Sequence, residues 1–237
     1  MHYKKQFVQF LLESGALTFG DFTLKSGRKS PYMINTGKFD SGISLSKMGC
    51  FYARAIYEKM ELGIIPWGTN TLFGSAYKGI PLATATAIAF SAAFDLEFRW
   101  AFNRKEAKDH GEGGVFVGNK PGAGDEVLIV DDVMTAGTAL RETIDIFRNH
   151  APDAVIVGSV IAVDRKERGS DARLSAIAEA QFELGIPIFS IIDIDEILEI
   201  LKDDDFANEY YGAEKAELPT PDHIAAIEDY LSEYRVK

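Results

Sequence analysis

Thirteen consecutive residues constrain this chain more than any others: Val127-Leu128-Ile129-Val130-Asp131-Asp132-Val133-Met134-Thr135-Ala136-Gly137-Thr138-Ala139. Four apolar residues run into two adjacent carboxylates, and a loop of small residues leads to a helical pattern from Leu140. A continuous apolar run of this kind reads as a strand of a parallel sheet, buried on both faces. A small-residue loop that opens a helix presents backbone N–H groups and the positive end of the helix dipole to an anion. Asp131 and Asp132 stand beside that anion site. An anion cradle next to two acceptors for hydroxyls is what a ribose 5-phosphate requires. Singly, the pieces have plainer readings: an Asp pair can form a turn, and Thr138 can act as an N-cap.

The surrounding chain alternates in the same sense. A helix is predicted over about 44–60 and a strand over Thr71–Gly74, followed by Ser75-Ala76-Tyr77-Lys78-Gly79 and by Pro81 opening the next helix. Phe98–Asn103 and Glu126–Val130 read as strands, Leu140–His150 as a helix, Ala154–Val163 as a strand, Leu174–Leu184 as a helix and Pro187–Ile192 as a short strand. Strands alternating with helices predict an α/β fold, a doubly wound and mainly parallel sheet. Such sheets bind ligands at the carboxyl ends of their strands. Tyr77-Lys78, Asp131-Asp132 and Asp164-Arg165 all fall there.

The ends differ from this core, taken as residues 41–202. Residues 3–14 have helical apolar spacing, Ala16–Lys25 alternates like a strand, Ser26–Pro31 is a turn, and Tyr32–Asn35 can form another strand. Residues 1–40 therefore read as a small N-terminal hood. Residues 203–237 read as an acidic C-terminal extension with a helix near 222–234 packed on the outside. Arg104–Asn119 is glycine-rich, charged and aperiodic, which predicts a loop or flexible arm.

The net charge of −11 is local in origin. Ser190–Lys237 holds 14 acids and 4 bases, while the other residues hold 22 and 21. The acidity belongs to the tail, is read as a solvated helical face, and gives no support for nucleic-acid binding. The single cysteine, Cys50, excludes an internal disulfide and suits a reducing compartment. Its place in a helical run predicts a buried structural thiol. No signal-peptide core or membrane-length apolar run is present, so a cytoplasmic protein without membrane association is expected.

Several chemistries find no motif. There is no Gly-x4-Gly-Lys-Ser/Thr loop, no Gly-x-Gly-x-x-Gly after a strand, no Cys/His cluster of zinc spacing and no Gly-x-Ser-x-Gly elbow. A second informative segment is instead Phe102-Asn103-Arg104-Lys105-Glu106-Ala107-Lys108-Asp109-His110-Gly111-Glu112-Gly113-Gly114. Its three bases and histidine can neutralise a pyrophosphate, and its glycines allow an arm to close over a substrate.

The acidic string resembles the phosphoribosyl-pyrophosphate (PRPP) signature of type I phosphoribosyltransferases. Three further blocks are similar to bacterial orotate phosphoribosyltransferases: Thr23-Leu24-Lys25-Ser26-Gly27-Arg28-Lys29-Ser30-Pro31-Tyr32, Ala76-Tyr77-Lys78-Gly79-Ile80-Pro81, and the Lys108-Asp109-His110-Gly111-Glu112-Gly113 arm. The four blocks stand in the family's order, and the likeness extends from about residue 3 to about 200. It implies transfer of phosphoribose from PRPP to orotate, giving orotidine 5′-monophosphate and pyrophosphate, with Mg²⁺ held mainly through PRPP. It also implies a homodimer whose arm reaches the partner's site.

On that resemblance, Asp131 and Asp132 accept the ribose 2- and 3-hydroxyls, and the loop from Val133 and Met134 through Thr135, Ala136, Gly137, Thr138 and Ala139 holds the 5-phosphate. Lys25, Lys78, Arg104, Lys105, Lys108 and His110 surround the pyrophosphate, aided by backbone N–H groups at a cis peptide before Tyr77. Arg165 and Thr135 fix orotate beneath the hood, near Met33 and Ile34. Family members often carry two aromatics where this chain has Met33 and Ile34, so packing there is aliphatic. A purine-base phosphoribosyltransferase would share the acidic string but lack the hood and arm motifs. A PRPP-sensing regulator would add a basic nucleic-acid surface, which this composition lacks.

Overall fold

In the computed structural model, the structure describes residues 2–24, 27–108, 114–134, 137–171, 173–210 and 218–236. Helix α1 (His2–Glu13) leads into an antiparallel pair, β1 (Leu17–Thr23) and β2 (Lys29–Ile34). A 3-10 turn at Thr36–Lys38 and helix α2 (Gly42–Glu61) follow. The core then alternates: β3 (Thr71–Gly74), α3 (Gly79–Phe94), β4 (Arg99–Lys108), β5 (Gly114–Gly118), β6 (Glu126–Val130), α4 (Thr138–His150), β7 (Val155–Asp164), α5 (Ala176–Leu184) and β8 (Ile188–Asp193). Helices α6 (Ile194–Leu201), α7 (Asp204–Tyr210) and α8 (Pro221–Tyr234) end the chain.

The main sheet has the order β5-β4-β3-β6-β7-β8, with only the β4–β5 pair antiparallel. This is the doubly wound, mainly parallel α/β sheet that the alternation of strands and helices predicts. Successive strand residues face opposite sides. Leu72, Leu128 and Val130 accordingly pack into a cluster with Tyr52 and Ile56 of α2 and Phe90 of α3. Phe73, Val127 and Ile129 join Leu140, Ile144 and Phe147 of α4 on the other side. Each such fully buried side chain contributes about 1.5–3 kcal/mol. Among the described residues no helix is long and apolar enough to cross a membrane.

Two local expectations are corrected. Arg104–Asn119 is not simply a loop: β4 continues to Lys108 and pairs with β5. Edge ladder bonds supply what the charged sequence, poor in β-formers, hides. Cys50 is exposed, not buried. Helix α2 buries Met48, Gly49, Tyr52, Ala53 and Ile56, and the 3.6-residue period turns Cys50 away from that stripe. Helix α8 forms where the pattern places it, near 222–234, and packs on the outside with one face in solvent. It docks against β2, burying Ile227, Tyr230 and Leu231, and Tyr230 meets Tyr32 edge to face.

Candidate active site

The strand order reverses between β3 and β6, where connections leave in opposite directions. Their carboxyl ends therefore border a crevice, the usual ligand site of such sheets. Helix α3 starts at Lys78 and helix α4 at Gly137, and neither cap residue supplies a side-chain hydrogen bond. The first N–H groups of α4 are thus left available to an anion, whereas at α3 the Gly79 and Ile80 N–H groups donate to the Ser75 and Tyr77 carbonyls at 2.9 and 3.3 Å and Pro81 has none. Gly137 rather than Thr138 is the cap of α4; its φ of 71° is left-handed, a conformation that glycine adopts without steric cost. The Ser75 and Thr143 hydroxyls, 2.8 Å apart, tie the end of β3 to α4. The Ala76–Tyr77 peptide is cis, as the resemblance implies, and Ala76 N–H donates to Asn103 Oδ1 at 3.1 Å.

The two acids are held differently. Asp132 is buried, and its Oδ2 accepts from Thr36 Oγ1 at 2.8 Å and from Lys78 Nζ at 2.7 Å. Asp131 Oδ1 accepts the Asp132 N–H at 2.9 Å, and its carbonyl accepts from Tyr52 Oη at 2.6 Å. Burial first, and the charge of Asp132 second, push the Asp131 carboxyl up to about 6. The Asp132 N–H and Lys78 oppose that rise. Thr36 and Tyr52 escaped the sequence reading. Thr36 is 96 positions from Asp132, and Tyr52 looks like any core residue of an amphipathic helix.

A pH profile follows from Asp131. Protonation below about pH 6 removes its charge and one acceptor, so kcat/KM should fall on the acid side with an apparent pKa near that value. For stability the sign is reversed. The folded-state value lies above the ordinary 3.8, so ionisation costs stability above pH 6, and that cost is relieved as pH falls toward 4. Asp131→Asn should then lose the acid limb and gain on the order of 1–3 kcal/mol in unfolding free energy at pH 7.5. An unchanged limb in the variant, or a loss of stability, would refute this account.

The basic residues lie on the other side of the β3 turn. Arg104 and Lys105 of β4 line a cleft of about 530 Å³ with Ser75, Ala76, Asn103 and Ala139, while Glu142 and Asp145 of α4 close its far wall. Arg104 Nη1 is buried without a hydrogen-bond partner among the described residues. Lys105 Nζ lies 5.1 Å from the centre of the Tyr77 ring, which is itself exposed. Lys108 is in β4 opposite Gly114, and its side chain lies outside the described residues. Lys25, His110, Thr135 and Ala136 also lie outside them.

Beneath the hood, Arg165 follows β7. Its Nη2 donates to Ser30 Oγ of β2 at 3.1 Å, and its guanidinium stacks on Tyr32 at 4.3 Å. Met33 and Ile34 continue β2, both partly buried and on alternate faces. Val133 pairs with Val163, and Met134 is partly buried against the α4 side of the core. The fold therefore gathers Lys78, Asp131, Asp132, Gly137 and Thr138 at one crevice and Arg104, Lys105 and Tyr77 at its flank, and carries Arg165 to β2.

A family model described as phosphoribosyl transferase domain matches residues 51–178. The orotate phosphoribosyltransferase of Bifidobacterium adolescentis is 46% identical over 229 residues, 97% of this chain and 96% of that protein. That of Pseudomonas aeruginosa is 47% identical over 234 residues, 99% of each. The chain belongs to the orotate phosphoribosyltransferase family. The crystal structure of the Francisella tularensis member agrees, with a TM-score of 0.76, 33% identity, and coverage of 97% of this chain and 99% of that one. Within that fold the acidic string, the cis peptide and the uncapped start of α4 stand at the switch point, and hood and core meet where Thr36 donates to Asp132.

Proposed function

We propose that the protein transfers the 5-phosphoribosyl group from PRPP to orotate, forming orotidine 5′-monophosphate and pyrophosphate in pyrimidine nucleotide synthesis. The observation that carries this reading is the convergence of the uncapped start of α4 with two adjacent acids at the switch point, in a chain with full-length orotate phosphoribosyltransferase relatives.

The N–H groups from Met134 to Ala139 receive the 5-phosphate. The bond from ribose C1 to the pyrophosphate oxygen breaks, its electron pair leaves with pyrophosphate, and a ring nitrogen of orotate supplies the pair for the new bond and gives up its proton to the departing pyrophosphate. Positive charge develops on the ribose meanwhile. Asp131 and Asp132 oppose that charge through the 2- and 3-hydroxyls. Lys25, Lys78, Arg104, Lys105, Lys108 and His110 take up the negative charge of the departing pyrophosphate, with the backbone at Tyr77. Arg165 and Thr135 orient orotate against Met33 and Ile34, the arginine through its open Nη1 on the orotate carboxylate.

The donor set suits Mg²⁺ carried by the substrate. One oxygen of the acid pair is taken by Lys78 and Thr36, and among the described residues no group of three or more His, Cys, Asp or Glu gathers. Mg²⁺ keeps water and phosphate ligands readily, and when bound it neutralises pyrophosphate charge. A homodimer with shared arms and a cytoplasmic location complete the proposal, supported by the arm motif and by the single cysteine.

Orotate absorbance during incubation with PRPP and Mg²⁺ tests the reaction. The native protein should consume orotate only when both are present, and Lys108→Ala should slow it about 100-fold. Tight PRPP binding without orotate consumption would reject orotate as the base and direct the assay to purine bases.

A further inference from the structure

The C-terminal helix makes a contact that the reaction scheme above does not use. Tyr230 of α8 donates its hydroxyl to Glu167 Oε1 at 2.8 Å. The same oxygen accepts from Arg165 Nε at 2.8 Å and lies 2.7 Å from Arg165 Nη2. The other oxygen, Oε2, accepts from Arg28 Nη1 of the hood at 3.2 Å. One carboxylate thus gathers a hydroxyl from α8, an arginine from the hood and the arginine that follows β7.

We propose that Glu167, held by Tyr230, is a positioning residue that sets the Arg165 guanidinium for the carboxylate of orotate. The inference rests on the reading that Arg165 binds that carboxylate.

Arginine has about four rotatable side-chain bonds, and fixing them beforehand removes that entropy from the binding step. Here the guanidinium is fixed on three sides, by Glu167, by Ser30 Oγ and by the face of Tyr32. Its Nη1 has no acceptor among the described residues and is absent from the buried, unpartnered atoms, so it remains open to a ligand. Charge agrees. Arg28 and Arg165 share one carboxylate, which leaves room for a second anion. Asp164, the neighbouring acid, is engaged elsewhere, accepting the Lys166 N–H at 2.7 Å.

The backbone supports this arrangement. Lys166 has a φ of 51°, in the left-handed region, which brings Arg165 and Glu167 onto one side of the chain. Its ammonium, 2.7 Å from Asp193 and 3.1 Å from Asp195, anchors that turn. Helix α8 locks it from above, because Arg168 N–H donates to the Tyr234 carbonyl at 2.9 Å. Tyr230 also feels this environment: burial, then the charge of Glu167, pushes its hydroxyl up to about 12, so it stays a donor.

Steady-state kinetics of Arg165→Lys, Glu167→Gln and Tyr230→Phe test the inference. Tyr230→Phe keeps the ring that packs on Tyr32 and Tyr234 and removes only the hydroxyl. The expected result is an orotate KM raised about 10-fold by Glu167→Gln and about 3-fold by Tyr230→Phe, with PRPP KM within about 2-fold. Adding Glu167→Gln to Arg165→Lys should add little, since the two act through one contact. If Arg165→Lys raises the orotate KM but Glu167→Gln and Tyr230→Phe leave it unchanged, the positioning role is overturned and the reading of Arg165 stands. Equal rises in both KM values would indicate general loosening and overturn it too. No effect of Arg165→Lys would overturn both.

Discussion

Asp132→Asn should lower kcat by about 100- to 1,000-fold while the protein stays folded. The substitution keeps the shape of the side chain and removes a buried negative charge that faces Lys78 at 2.7 Å and Thr36 at 2.8 Å. Two effects reach the reaction. The ribose loses an anionic partner when positive charge develops, and Lys78 loses the carboxylate that holds it beside the site. Stability should change little, because Asn keeps an acceptor for the Thr36 hydroxyl and the Lys78 side chain, 59% exposed, can turn to solvent. Turnover and a thermal melt on the same preparation decide the matter. A rate within tenfold of the native protein would remove Asp132 from the chemistry, and a collapsed melt would make its role structural.

The second large effect is on the frame of the site. Gly74→Ala should destabilise the protein by about 3 kcal/mol or more, or prevent folding. A β-carbon at residue 74 would fall onto the Gly79 carbonyl, with Ile80 N only 2.8 Å away. Residue 79 is as tight, since its own β-carbon would lie 2.7 Å from the Val130 carbonyl oxygen. These obstacles are backbone, so no rotamer change relieves them. The β3–α3 turn would have to open, carrying Lys78 away from Asp132. Urea unfolding gives the test. A midpoint matching the native one would show that the turn yields more readily than its geometry implies, whereas a folded but weakly PRPP-binding variant would place the damage in the turn.

Much of this was legible in the chain because it depends on short, contiguous patterns. Val127–Val130 read as a strand buried on both faces, which β6 is, and the two acids and the small-residue loop were visible behind it. Thr71–Gly74 and Glu126–Val130 stand where apolar runs end at turn residues. The β4–β5 hairpin was not legible, because its pairing is stabilised across strands and not by the composition of either. The exposed side of α2 at Cys50 lay within reach of a closer count of the helical period.

What the sequence determined by itself is therefore the local chemistry: which strand ends carry acids, which loops leave N–H groups free, and the family these motifs belong to. Tertiary structure alone decided how distant residues meet there. Thr36 reaches Asp132 across 96 positions, and Tyr230 reaches Glu167 across 63. Hydrogen bonds of this kind leave no periodic trace in a chain. They exist because the hood, the switch point and the C-terminal helix bury their apolar faces together, and burial then obliges each enclosed polar group to find whatever partner the packing brings near.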